Sequence, residues 1–178
     1  KGVRLAAFAC FAAVSACSQE AAKPPPAVDL EGMSPEARQA YIARAAKVDG
    51  PRIVAADSEP GNWLAHGRTY GETRYSPLDQ INDRTVGKLG FAWAYDTDTV
   101  RGLEGTPLVD NGFMYASDPW GTPYKIDVSS GKQGKMVWIC DTGVDKDPSR
   151  GILLASRGLA LSGNNVITAL NDGRVVAC

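Results

Sequence analysis

Thr106–Trp138 reads TPLVDNGFMYASDPWGTPYKIDVSSGKQGKMVW, four short apolar runs with turn residues between them. TPLV is followed by Asp110-Asn111-Gly112 and then FMYAS; Gly121 leads into TPYKID; Ser130-Gly131-Lys132 precedes MVWIC. An Asn-Gly pair between apolar runs marks a hairpin, because both residues tolerate the positive φ that a tight turn imposes. The stretch is predicted to fold as a four-stranded antiparallel sheet. A sheet this small cannot bury both faces by itself, so it needs neighbours on either side.

One neighbour is written into the chain. Moving the pattern forward by 52 positions places Val109 on Leu161, Met114 on Val166, Gly121 on Gly173 and Ile126 on Cys178. The second copy reads LALSGNNVITALNDGRVVAC. In the other direction, FAWAYDTD around Trp93 resembles VWICDTGV around Trp138, so an outer strand of a further unit is expected before the first. A period of about 50 residues with four strands per unit predicts an all-β fold of the β-propeller kind. A β-sandwich, with similar turns, is the alternative.

Composition narrows the function classes. At 44% apolar and 22% charged residues the chain has ordinary globular make-up, which argues against wholesale disorder. The formal charge is -1 and no large basic block occurs, so nucleic-acid binding through a general electrostatic footprint is disfavoured. The four cysteines form no CxxC and His66 is the only histidine, so a zinc site lacks its ligand set. Cys140 and Cys178 fall within predicted strands; buried free thiols are expected there, with a disulfide between them the alternative. Cys178 also falls inside a strand of the second copy. The chain is therefore expected to hold about one and a half sheet units, leaving an open sheet face that would not fold stably alone.

Residues 1–16 carry Lys1 and Arg4, an apolar run from Leu5 to Val14 and the small pair Ser15-Ala16, the pattern of a secretory signal too short to span a bilayer. Val14-Ser15-Ala16-Cys17 resembles the bacterial lipoprotein signal, in which the cysteine becomes the lipidated first residue. Residues 17–33 include Pro24-Pro25-Pro26 and read as an extended tether. Residues 34–50 are predicted to form a short helix capped by Ser34, with Pro35 in its first turn and Gly50-Pro51 ending it. Its stripe of Ala37, Tyr41, Ala45 and Val48 is expected to pack outside the sheets. Residues 51–178 form the propeller portion, opening with a long irregular strap whose Trp63, Tyr70 and Tyr75 should lie against protein. His66 is assigned no role.

Within the strap the blocks Asn62-Trp63, His66-Gly67-Arg68-Thr69-Tyr70, Arg74-Tyr75-Ser76-Pro77-Leu78, Gln80-Ile81-Asn82 and Val86-Gly87-Lys88-Leu89-Gly90 follow one another, then Ala92-Trp93. Arg101-Gly102-Leu103-Glu104-Gly105-Thr106-Pro107-Leu108-Val109, Pro119-Trp120-Gly121 and Ser156-Arg157-Gly158 continue the series. In this order, from about Asn62 onward, the chain resembles the N-terminal region of the pyrroloquinoline-quinone (PQQ)-dependent alcohol dehydrogenases, the methanol/ethanol quinoprotein family. Any single block is weak; their order and spacing are specific.

The resemblance implies an eight-bladed propeller in the bacterial periplasm, here truncated to about its first one and a half blades, with PQQ and a calcium ion near its axis. It implies oxidation of a small-molecule alcohol by hydride transfer to the quinone, and a cytochrome c or quinone as electron acceptor. Glu104 matches the glutamate that hydrogen-bonds the quinone, and Arg157 the arginine that pairs with a quinone carboxylate. The aspartate base, the calcium ligands and any cytochrome domain are expected beyond Cys178. Cys17 would attach the protein to a membrane by lipid. Trp120 is read as sheet packing rather than as a ring-stacking platform.

The chain departs from the family pattern where two adjacent cysteines are usual: Gly151 and Ile152 stand there, and Leu153 replaces an aspartate. A short insertion is also expected before Trp138. These departures keep a second reading open, a non-catalytic propeller lipoprotein serving as a binding or outer-membrane assembly scaffold.

Overall fold

The computed structural model describes residues 34–44, 47–97, 99–147 and 155–178. The expected leader, Cys17, the proline tether, and the departures at Gly151, Ile152 and Leu153 lie outside the described residues.

Four strands form the first sheet in sequence order: β1 (Leu108–Asp110), β2 (Phe113–Ser117), β3 (Pro123–Asp127) and β4 (Lys135–Ile139). Three more form the second: β5 (Ala160–Ser162), β6 (Asn165–Ala169) and β7 (Val175–Ala177). All pairs are antiparallel. The described strands are a four-stranded sheet and three strands of a second, in keeping with the expected one and a half or so units.

The 52-residue shift holds at the level of single residue pairs. Val109 faces Met114 and Leu161 faces Val166; Tyr115 faces Lys125 and Ile167 faces Ala177. Met114 faces Ile126, and Val166 exchanges two backbone hydrogen bonds of 2.9 Å with Cys178. The turns repeat too. Gly121 N–H donates to the Asp118 carbonyl and Gly173 N–H to the Leu170 carbonyl, each at 3.0 Å. Gly121 (φ +96°) and Gly173 (φ +90°) both occupy backbone space that L residues avoid.

Between β3 and β4 the register slips: Lys125 faces Trp138 and Ile126 faces Met136, leaving Val137 as the extra residue of a bulge. This irregularity falls beside Trp138, where extra chain was expected.

The core lies between the sheets. Leu108, Phe113 and Tyr115 share one face of the first sheet and pack with Leu161 and Val166 of the second, joined by Val48, Ile53 and Leu64. Each such side chain stabilises the pairing by roughly 1.5–3 kcal/mol on full burial. The opposite face of the second sheet is open: Ala160, Ala169 and Val175 are exposed.

The helical segment departs from expectation. α1 (Pro35–Arg44) does start at Ser34, whose Oγ accepts the Ala37 N–H at 3.2 Å. Ala37, however, is exposed. Gly50-Pro51 does not end this helix but opens a second, α2 (Gly50–Val54), because the Asp49 carboxylate accepts the Arg52 N–H at 2.8 Å and Pro51 suits a first helical turn. Val48 is extended and fully buried, bridged in both directions to Gly163 in the β5–β6 turn.

Trp63 pairs with Val109 through bonds of 2.8 and 2.9 Å, adding its backbone to the edge of β1. Residues 48–63 thus run from the second sheet to the first across one end of the seam. Beyond them the strap behaves differently. Tyr70 and Tyr75 are 66% and 69% exposed, contrary to the expectation that they lie on protein. The described residues around Trp93 form no strand; the Trp93 ring packs over Gly134, beside Ile126. Cys140 and Cys178 are joined in a disulfide, with Cα atoms 6.3 Å apart, rather than standing as free thiols. The physical reason is geometric: the ends of β4 and β7 approach within bridging distance. Among the described residues no helix is long and apolar enough to cross a membrane.

Candidate functional site

Glu104 and Arg157 are separated in sequence by the whole of the first sheet, yet Arg157 Nη1 lies 2.9 Å from Glu104 Oε2. Each stands just before the first strand of its sheet. Gly105 and Arg157 are 52 positions apart, as are Thr106 and Gly158, so the two sheets present equivalent entry segments on one rim. The backbones touch there: Thr106 bridges Gly158 in parallel fashion, and its N–H donates to the Arg157 carbonyl at 3.4 Å.

Gly105 makes this crossing possible. A Cβ at that position would sit 3.0 Å from the Gly158 nitrogen and 3.1 Å from its Cα, so any larger residue would push the entry segments apart. Below the crossing, the hydroxyls of Ser117 and Ser156 are 2.9 Å apart. Sequence reasoning picked out the charged pair but not the Ser117–Ser156 contact or the crossing. The signal that was present is the coincidence of Gly105 and Arg157 with the repeat period.

The Arg157 side chain is 79% exposed and that of Glu104 49%. The guanidinium, engaged through Nη1, therefore turns much of its planar fork to solvent, where it can receive a carboxylate in the bidentate manner that arginine favours. Glu104 supplies an acceptor beside it. The rim thus offers paired recognition of an anionic group and a hydrogen-bond donor, over a floor made of backbone.

The other singled-out residues play different parts. Trp120 is buried and its carbonyl accepts the Asn171 N–H at 3.3 Å, so it belongs to the packing of the first turn on the second sheet. His66 is exposed, with its Nε2 against Arg74 Nη2. Among the described residues no group of three or more His, Cys, Asp or Glu could hold a metal.

The family described as the PQQ glucose/ethanol/alcohol dehydrogenase β-propeller domain matches residues 63–178. A quinohemoprotein alcohol dehydrogenase of Pseudomonas putida is 44% identical over 134 residues, 74% of this chain and 18% of that protein. The dehydrogenase subunit of the alcohol dehydrogenase (quinone) of Gluconobacter oxydans is 44% identical over 140 residues, 76% of this chain and 18% of the subunit. The crystal structure of the quinohemoprotein alcohol dehydrogenase from Comamonas testosteroni superposes with a TM-score of 0.70 at 38% identity, over 78% of this chain and 21% of that one. The chain spans about 18% of the length of the curated relatives it matches.

Proposed function

Since the chain belongs to the PQQ glucose/ethanol/alcohol dehydrogenase β-propeller family, we propose that it supplies one edge of the quinone site of a PQQ-dependent alcohol dehydrogenase. The protein would oxidise primary alcohols in the bacterial periplasm and pass electrons to a cytochrome c or a quinone.

The observation that carries this reading is the Glu104–Arg157 pair at the shared rim. The donor set suits PQQ, an anionic flat molecule bearing carboxylates. Arg157 binds and orients a carboxylate through its fork, and Glu104 holds Arg157 in place while accepting a hydrogen bond from the ring edge. At the crossing Gly105 and Gly158 carry no side chain, so the rim beside the ion pair is bare backbone. When bound, the quinone supplies the two-electron acceptor for the alcohol's hydride, with calcium as Lewis acid. No residue of 1–178 is assigned as base or as calcium ligand.

The test is titration of the apo-protein, expressed from its complete reading frame, with PQQ, followed by fluorescence quenching. Glu104→Gln and Arg157→Ala should each weaken binding about tenfold or more, the loss of one charge-assisted contact. Unchanged affinity in both variants would reject the assignment. Calcium-dependent dye reduction across primary alcohols separates the enzyme from a scaffold, which would neither bind the quinone nor reduce the dye.

A further inference from the structure

We propose that the Cys140–Cys178 disulfide is a positioning element for the Glu104–Arg157 pair. It joins the end of β4 in the first sheet to the end of β7 in the second and so sets the angle between them, and with it the separation of the two side chains where β1 and β5 begin. The inference rests on the reading of that rim as a quinone site.

The two sheets meet along a seam. At one edge, β1 and β5 are preceded by the crossing of Thr106 with Gly158 and by the ion pair. At the other edge, Cys140 follows β4, its N–H donating to the Pro123 carbonyl at 3.0 Å, and Cys178 follows β7 in ladder with Val166. The disulfide links the two sheets there. Between the edges the seam is held by apolar packing and by a buried hydrogen bond from the Thr168 hydroxyl to the Gly121 carbonyl at 2.7 Å, none of it covalent.

The ion pair cannot set the angle itself. Both partners are too exposed for their attraction to hold two sheets in register. A covalent link on the far side of the seam can, because it removes the rotation that would open the rim. Each sheet is stiffened by its own ladder, so a fixed outer edge transmits to the inner one. The path is short: Cys178 pairs with Val166, Val166 with Leu161, and Leu161 lies three residues after Gly158. Cys140 and Cys178 are half-buried, and Cys140 lines an open groove of about 300 Å³ with Thr122, Ile139, Thr142 and Lys146, so a small reductant can reach the bond.

The experiment compares the oxidised protein, expressed from its complete reading frame, with the same protein after reduction. A dithiol delivers two electrons and two protons to the bond, leaving two cysteine thiols and the cyclic disulfide of the reagent. A Cys140→Val/Cys178→Val variant keeps the packing without the bond. The first readout needs no quinone: hydrogen exchange at the Thr106 amide should speed up at least tenfold on reduction and in the valine pair. The Val109 amide, bonded to Trp63, should stay unchanged. Unaltered Thr106 exchange overturns the proposal. So does loss of far-ultraviolet circular dichroism on reduction, which would make the bond a requirement of the fold.

The second readout is a PQQ titration of four forms, oxidised and reduced, with and without Arg157→Ala. Reduction should weaken binding about tenfold when Arg157 is present and have little effect once it is gone. Additive losses would mean that the bond acts elsewhere and overturn the proposal. If Thr106 exchange responds but Arg157→Ala leaves affinity intact in the oxidised protein, the positioning stands and the quinone site falls.

Discussion

Arg52 Nη2 donates to Asp110 Oδ1 at 2.7 Å, from the short helix α2 into a carboxylate that solvent does not reach. The same guanidinium holds Glu59 through Nε at 2.8 Å and Nη2 at 2.6 Å. Burial pushes the Asp110 carboxyl up, and Arg52 pulls against that shift. The strap is therefore fastened to the first sheet by charge as well as by the Trp63–Val109 bridge.

Removing Arg52 should be costly, because it leaves a buried charge without its partner. Arg52→Met is expected to destabilise the protein by about 3 kcal/mol in urea unfolding. Pairing it with Asp110→Leu should recover at least half of that loss, since the stranded carboxylate is gone. Equal losses in the single and double variants would contradict the role given to the ion pair.

Lys125 is buried in β3, its ammonium 4.5 Å from the Phe113 ring centroid and 5.4 Å from that of Tyr115. Burial lowers its pKa from 10.5 to about 8, against the pull of Asp110. Below pH 8 the folded and unfolded chains both carry the proton, and the full cost of burying the charge is felt. Between pH 8 and 10 the folded chain has shed it while the unfolded chain has not, so stability rises with pH by about 2 kcal/mol. Above pH 10 Tyr115, whose hydroxyl burial pushes up, opposes the trend. Lys125→Met should flatten the rise between pH 8 and 10 in a series of urea titrations; a rise of the same size in the variant would assign it to another group.

Gly121 and Gly173 are equivalent turn residues in different surroundings. A Cβ on Gly121 would meet the Ala169 carbonyl oxygen at 2.5 Å, whereas one on Gly173 meets nothing within 4 Å. Gly173→Ala should therefore cost only the left-handed backbone penalty, about 1–2 kcal/mol. Gly121→Ala should cost at least about 2 kcal/mol more, because overpacking against fixed backbone is added. The Thr168 hydroxyl donates to the Gly121 carbonyl at 2.7 Å, so the same substitution also strains a buried inter-sheet bond. Thermal unfolding of the two variants side by side reads the difference; equal shifts would mean that the turn does not bear on the second sheet.

The expectation that Cys17 carries a lipid anchor is tested apart from the fold. If Cys17 is lipidated, Cys17→Ser should move the protein from the membrane pellet to the soluble fraction after high-speed sedimentation, because the acyl chains would be lost together. A variant that still sediments with lipid would end the anchor reading.

The repeat was legible from local chemistry alone. Turn glycines, an Asn-Gly hairpin and apolar alternation each act over a few residues, and all recur at one spacing, so the repeated sheet could be read before its pairing was seen. The bulge at Val137, the helix begun by Asp49 and the failure of the Trp93 segment to form a strand depend on what each piece meets. Of the site, the two charged residues were named from motif blocks, while their contact through Nη1 and Oε2 was not. That contact, the Ser117–Ser156 hydroxyls, the Arg52–Asp110 bond and the Cys140–Cys178 disulfide all join residues far apart along the chain. Each depends on how distant pieces of chain meet, sheet against sheet or strap against sheet, which no short stretch encodes. Sequence by itself therefore determined the sheets and their period; tertiary structure decided how their edges meet, and with that the geometry of the rim.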